Sequence, residues 1–113
     1  MGLGLFLYDT YVDRSGWAEE GNARLYKDFH GDPVTGWQEL DGTTYYFGEN
    51  GAMVSGWNIL DSNTYYFEST GALVTGYTVL DGKNYFFQDS GILFTGWEET
   101  ESGRRYYGED GVQ

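Results

Sequence analysis

The chain repeats itself every 20 residues, and this period constrains its fold more than any other feature of the sequence. A glycine followed by an aromatic residue occurs at positions 16/17, 36/37, 56/57, 76/77 and 96/97, and a second glycine recurs at 31, 51, 71, 91 and 111. A fixed period of about 20–50 residues is typical of solenoids and repeat arrays. In such an array each repeat packs only on its neighbours, so no central core is needed.

Each repeat predicts a β-hairpin, because a turn signal lies between two short segments rich in aromatic and β-branched residues. An Asp-Gly pair favours a type I′ turn, since both residues tolerate positive φ, and Asp-Ser is a weaker form of the same signal. The turn pairs are Asp41-Gly42, Asp61-Ser62 and Asp81-Gly82. The sequence therefore predicts an all-β fold, a solenoid of tandem hairpins.

The two-residue turn also predicts the pairing register of each hairpin. In the clearest repeat it places Trp37 opposite Tyr46 and Leu40 opposite Thr43. Since side chains alternate between the faces of a strand, one face carries a leucine, a tyrosine and a phenylalanine, and the other carries the tryptophan and a second tyrosine. We predict that the first face forms the shared core; its members are Leu40, Tyr45, Phe47 and their equivalents 20 and 40 residues further on.

We divide the chain into repeats 16–35, 36–55, 56–75 and 76–95 and an incomplete repeat 96–113. Residues 1–15 are interpreted as the degenerate end of a preceding repeat. Because the last repeat stops two residues after Gly111, we expect the chain to be a piece of a longer array or of a larger protein. Open strand edges at the ends of such an array favour self-association.

Composition argues against several classes of function. The formal net charge of −12 disfavours nucleic acid and anionic membrane surfaces as partners. No apolar run approaches the ~18–20 residues of a membrane-spanning helix, so we predict no membrane insertion. The chain has no cysteine and a single histidine, His30, so we expect no metal site, no cofactor and no Ser-His triad. The acidic residues recur by position rather than as one asymmetric pair across a cleft, so we predict no catalytic residues and no enzyme activity.

The repeats resemble the cell-wall-binding repeats of Gram-positive surface proteins. That family includes choline-binding repeats, the glucan-binding repeats of streptococcal glucosyltransferases and the receptor-binding repeats of large clostridial toxins. The motifs that carry the resemblance over residues 16–113 are Gly36-Trp37, Asp41-Gly42, Tyr45-Tyr46-Phe47, Gly51-Ala52-Met53 and Ser55-Gly56-Trp57, with their copies 20 residues on.

The resemblance implies a β-solenoid of stacked hairpins with ligand sites in the grooves between neighbours. It also implies a non-catalytic protein that is extracellular, either secreted or on the cell surface. The partners that it implies are a cell-wall polysaccharide, a glucan, teichoic acid or a host glycan.

The candidate ligand site is the aromatic face opposite the predicted core. Flat rings with a polar tip suit the apolar faces of sugars and can donate hydrogen bonds to hydroxyl groups. The candidate residues are Trp37, Tyr46, Met53, Trp57, Tyr66, Leu73, Tyr77, Phe86 and Trp97. Tandem sites raise avidity by as much as ~10²–10⁴, which is a physical reason for an array to bind a polymer.

Three ligand readings remain open. Choline-binding repeats usually place a tryptophan just before the Tyr-Tyr pair, and a quaternary ammonium is held by several aromatic faces. In this sequence that position holds Thr44, Thr64, Asn84 and Arg104. The loss of this aromatic wall favours a sugar ligand, whereas the negative charge and the Gly-Trp pairs favour choline on teichoic acid. The third reading is a structural spacer or protein-interaction arm whose aromatic residues all serve packing.

Overall fold

The computed structural model describes residues 12–113, and this part of the chain contains ten β-strands and no helix. Each strand has five residues, and the strands form five antiparallel hairpins. The strands are β1 (Gly16–Glu20), β2 (Ala23–Lys27), β3 (Gly36–Leu40), β4 (Thr43–Phe47), β5 (Gly56–Leu60), β6 (Asn63–Phe67), β7 (Gly76–Leu80), β8 (Lys83–Phe87), β9 (Gly96–Thr100) and β10 (Gly103–Tyr107). The predicted all-β fold of tandem hairpins is confirmed. Residues 1–11 of the proposed degenerate repeat lie outside the described residues, so that assignment stays a prediction.

The register is the one that the turns predict. Trp37 pairs with Tyr46 and Leu40 pairs with Thr43. The same pattern recurs 20 residues later, where Trp57 pairs with Tyr66. A two-residue loop leaves the strands only one antiparallel alignment, so the register follows from the local sequence.

The turns have the backbone that type I′ geometry requires at both central positions. Asp41 has φ of 52° and Gly42 has φ of 81°. Asp61 and Ser62, which lack a glycine, adopt φ of 51° and 70°. The Asp-Ser pair therefore forms the same turn as its Asp-Gly equivalents, although a positive φ is sterically less favourable for serine than for glycine.

One face of the hairpins forms the core, as predicted. The last phenylalanine of each clear repeat has no exposed surface, and Tyr107 takes the same position in the last repeat with 1% exposure. These phenylalanines are Phe47, Phe67 and Phe87. Leu40 and Tyr45 are half-buried, and Tyr65 is 8% exposed. The opposite face is open, since the indole-bearing residues Trp37 and Trp57 are 42% and 45% exposed.

The chain forms two compact units that divide after Val54. The described part of the first unit, residues 12–54, contains the hairpins β1–β2 and β3–β4, and the second unit, residues 55–113, contains the other three. Within the first unit the amide of Met53 donates to the carbonyl of Arg24 at 2.8 Å. Within the second unit the amide of Leu93 donates to Thr64 at the same distance. Within each unit, therefore, a backbone hydrogen bond ties the segment after one hairpin to the hairpin before it.

The second glycine of the repeat is required by its backbone and by its neighbour. Gly91 has φ of +90°, a region that side chains with a β-carbon rarely adopt. A β-carbon added there would lie 2.7 Å from Cδ2 of Leu73. The glycine lets one repeat pack closely on the next, which explains why it recurs with the same period as the aromatic residues.

Candidate functional site

The outward rings of each hairpin stand in cross-strand pairs. The centroids of Trp37 and Tyr46 lie 5.1 Å apart with an interplanar angle of 73°. Trp57 and Tyr66 repeat this edge-to-face contact at 5.0 Å and 71°. The other two pairs are Tyr77–Phe86, stacked at 4.6 Å, and Trp97–Tyr106 at 5.1 Å. Six of the predicted site residues, Trp37, Tyr46, Trp57, Tyr66, Tyr77 and Phe86, are thus brought together as three pairs within their own hairpins.

A third ring joins the pair at Trp57. Tyr85, from the next hairpin, lies 5.1 Å from Trp57 at an angle of 63°. Phe87 lies behind it at 5.8 Å. We call the set of Trp57, Tyr66 and Tyr85 the Trp57 groove. Trp57 meets both tyrosines at steep angles and still keeps 45% of its surface exposed.

The Trp57 groove corrects the predicted division of the rings. The sequence analysis placed Tyr85 with the core face and Trp57 with the outward face. In the structure these two rings are in contact, because the outward face of one hairpin meets the inner face of the following hairpin. Tyr85 is therefore a candidate site residue that the sequence analysis missed, and no signal within a single repeat identifies it.

The same arrangement occurs at Trp17, which is not among the predicted site residues. Trp17 lies 5.3 Å from Tyr26 of its own hairpin and 5.0 Å from Tyr45 of the next. The interplanar angles are 78° and 72°. We call these three residues the Trp17 groove. The Gly-Trp pair and the tyrosine nine residues later were the signals available for finding it.

The corresponding position beside Tyr77 is occupied by an arginine instead of a tyrosine. The guanidinium carbon of Arg105 lies 5.2 Å from the ring centroid of Tyr77. Glu98 holds this arrangement, since it accepts a hydrogen bond from the Tyr77 hydroxyl and lies 3.5 Å from Nη1 of Arg105. The Tyr107 hydroxyl donates to the other carboxylate oxygen of Glu98 at 3.2 Å. A polar network thus replaces the aromatic wall at this position.

Two further outward rings also carry a guanidinium. The Cζ atoms of Arg24 and Arg104 lie 4.4 Å from the ring centroids of Trp17 and Trp97 respectively. A cation within about 6 Å of a ring centroid is attracted by the negative face of the ring. The outward rings of this chain are therefore positioned to accept cations.

The two aliphatic candidates take part in packing between repeats. The side chain of Leu73 lies against Gly91. Met53 forms a single-residue bridge with Phe47 and is half-buried. Leu73 forms the equivalent bridge with Phe67. A role for Met53 and Leu73 in lining a groove stays a prediction.

The second unit also contains a polar cavity of about 430 Å³. Its wall includes the turn segment 62–64, Gln88, the segment 92–95 and Glu109. Hydroxyl, carboxamide and carboxylate groups line it beside the ring of Phe94. Such a mixture of hydrogen-bonding groups and a flat apolar surface is suited to a sugar.

The Tyr77–Glu98 hydrogen bond predicts a pH effect. Donation to the Glu98 carboxylate is the main cause that raises the pKa of Tyr77 above its ordinary value. Because the folded-state pKa is the higher one, the stabilisation is complete below the unfolded value of about 10 and is lost as pH rises through the folded pKa. We expect Glu98→Gln to lower the pKa of Tyr77, measured by NMR titration of its ring carbons. An identical titration in both proteins would contradict this assignment.

Within residues 12–113 no group of three or more histidine or acidic side chains is placed to hold a metal ion. The same residues include no helix of the length and apolar character that crossing a membrane requires.

Comparison with known proteins identifies similar repeats. The family model for the choline-binding repeat matches residues 34–76. Among solved structures, CbpJ of Streptococcus pneumoniae is 33% identical, with a TM-score of 0.81 over 87% of this chain and 35% of its own. Choline binding protein F of the same species, solved with a peptidoglycan analogue, is 32% identical, with a TM-score of 0.82 over 87% of this chain and 33% of its own.

A more distant structure shares the fold alone. The endolysin of phage Cp-1, solved in complex with choline, is 19% identical, with a TM-score of 0.65 over 88% of this chain and 37% of its own. No curated protein sequence matches. The chain spans about a third of the length of the two pneumococcal structures.

Proposed function

We propose that this chain, which matches the choline-binding repeat over residues 34–76 and is similar to CbpJ and choline binding protein F, is a non-catalytic module that attaches a larger protein to a bacterial cell wall by holding the choline groups of teichoic acid. The proposed module acts outside the cell, and its binding sites are the aromatic grooves between successive hairpins.

The observation that carries the proposal is the Trp57 groove. An indole and two phenol rings converge there from two hairpins, with centroids 5.0 and 5.1 Å from Trp57. Trp57 keeps 45% of its surface exposed although it contacts both tyrosines. The groove is therefore built by packing and is still accessible to a ligand from solvent.

The chemistry of this groove suits a quaternary ammonium. Choline presents three methyl groups around a positive charge and has no N–H donor, so it gains from aromatic faces rather than from hydrogen-bond acceptors. Tryptophan is the most favourable ring for this attraction. The net charge of −12 adds a long-range attraction for cations. The guanidinium groups over Trp17, Tyr77 and Trp97 support the proposal, since they place cations on the same set of rings.

Thr64 stands where choline-binding repeats usually carry a further aromatic wall. We therefore expect each groove to hold choline weakly and the array to depend on several simultaneous contacts. Effective concentration raises the avidity of linked sites without any new contact. A teichoic acid that carries many choline groups supplies such linked ligands.

A neutral saccharide, either of the cell wall or of a glucan, is the second candidate, and the polar cavity of the second unit favours it. The cavity of about 430 Å³ is large enough for a sugar ring, and it offers Asn63, Gln88 and Glu109 as hydrogen-bonding partners. In this alternative the aromatic grooves serve packing, and the specificity lies in the cavity.

Titration of the 113-residue chain with choline chloride, followed by tryptophan fluorescence, tests the first proposal. We expect a saturable change with choline. Ethanolamine has the same length and charge without the three methyl groups, so we expect it to bind at least about tenfold more weakly, a difference of about 1.4 kcal/mol. A parallel titration with isomalto-oligosaccharides tests the alternative.

Equal responses to choline and ethanolamine would show that only charge is sensed and would overturn the aromatic-groove proposal. Saturation with the oligosaccharide and no response to choline would favour the second candidate. No response to either ligand would favour the spacer reading, in which the rings serve packing alone.

A further inference from the structure

Two grooves of this chain have nearly the same rings at nearly the same spacing. In the Trp17 groove the tyrosines lie 5.3 and 5.0 Å from the indole, and the buried phenylalanine lies at 5.9 Å. In the Trp57 groove the corresponding distances are 5.0, 5.1 and 5.8 Å. The ring geometry alone therefore predicts that both grooves bind the same ligand with similar affinity.

A guanidinium distinguishes the two grooves. Arg24 holds its Cζ 4.4 Å from the ring centroid of Trp17. The same position of the repeat, 40 residues later, is the uncharged Thr64. Within residues 12–113 no arginine or lysine head group lies over Trp57. Because Arg24 lies within the range of a cation–π contact, the Trp17 ring already holds a cation, and an external cation would compete with it.

The arginine is held in place by its partner across the hairpin. Arg24 pairs with Glu19 in the register of β1 and β2, and its Nε lies 3.9 Å from the Glu19 carboxylate. The other two arginines that lie over rings, Arg104 and Arg105, are also paired with glutamates across their hairpin. These pairs are Arg104–Glu99 at 3.2 Å and Arg105–Glu98 at 3.5 Å. Each glutamate orients a guanidinium towards a ring on the same hairpin or on the preceding one.

We propose that Arg24 is a built-in occupant of the Trp17 groove, so that an external quaternary ammonium binds the Trp57 groove in preference to the Trp17 groove. The inference rests on the function proposed above and adds to it which grooves take the ligand. By the same geometry Arg105 covers Tyr77 and Arg104 covers Trp97. The arginines thereby set the number of choline groups that the array holds, and this number is smaller than the number of hairpins.

The four tryptophans of the chain give a site-specific test, because each indole N–H yields its own NMR signal. In the wild-type protein, titration with choline chloride should shift the Trp57 signal at lower concentration than the Trp17 signal. Arg24→Thr copies Thr64 and changes a half-exposed side chain, so the fold should persist. In this variant we expect the concentration that half-shifts Trp17 to fall about three- to tenfold, close to that of Trp57.

Lys83→Thr is the matched control for charge. Lys83 is an exposed residue of β8, and the equivalent position of the second repeat is Thr43. This variant removes one positive charge, as Arg24→Thr does, and does not uncover a ring. It should leave the Trp17 titration unchanged.

Three outcomes would overturn the inference. The first is an equal response of Trp17 and Trp57 in the wild-type protein, and the second is an unchanged Trp17 response in Arg24→Thr while Trp57 still responds. Both leave the proposed function intact. The third is the absence of any response at Trp57 in either protein, which overturns the proposed function and this inference with it.

Discussion

Replacing Phe87 with alanine should lower the free energy of unfolding of the second unit by about 3–5 kcal/mol. Phe87 has no exposed surface, and its ring lies 5.8 Å from that of Trp57 and 6.3 Å from that of Tyr85. Alanine would leave a cavity beneath the Trp57 groove, since the hairpins around it are held by the bridge to Leu93 and relax only in part. Thermal or urea unfolding measures the change.

Val79→Ala is the control for this prediction. Val79 lies in the same hairpin, and 65% of its surface is exposed. A change there should alter stability by less than about 0.5 kcal/mol. Equal losses for the two variants would show that the phenylalanine position is not the core of the repeat.

Replacing Trp57 with alanine should reduce binding to choline-bearing cell walls about tenfold or more. The substitution removes the largest face of the groove, and a partly desolvated cation–π contact of up to about 2 kcal/mol corresponds to that loss. Tyr66 and Tyr85 remain, but their common neighbour is gone. Co-sedimentation with purified walls and calorimetric titration with choline both measure the effect.

Two variants control for the loss of packing at Trp57. Trp57→Tyr copies the residue at position 77 and keeps a ring, so it should retain most of the binding. Trp97→Ala removes an indole that already carries the Arg104 guanidinium, so binding should change little. If Trp57→Ala lowers the unfolding temperature and leaves wall binding unchanged, the ring serves packing alone and the spacer reading is correct.

The parts of the structure that the sequence predicted are those that local rules decide. The turn at Asp61-Ser62 formed without a glycine, and the register of every hairpin followed from the length of its loop. The burial of Phe67 and the exposure of Trp57 followed from the alternation of side chains along a strand. The turn, the register and the face that each side chain takes are set within a single hairpin, so one repeat contains this information.

The parts that the sequence analysis missed depend on how one hairpin packs on the next. Tyr85 belongs to the core face by alternation, yet it completes the groove at Trp57. Trp17 was not among the predicted site residues, although its rings keep the full groove geometry. The division into two compact units was also not predicted, since the 20-residue period continues across it.

The amino-acid sequence by itself determined the hairpins, their turns, their registers and the phenylalanine core, because these are set by backbone preferences and by the two-residue alternation of a strand. Only the tertiary structure decided which rings share a groove and which of those rings already hold a guanidinium. The packing of one hairpin on the next within a unit brings residues 28 positions apart, such as Trp57 and Tyr85, into contact. The close approach of Leu73 to Gly91 also joins two repeats, so no single repeat encodes these contacts.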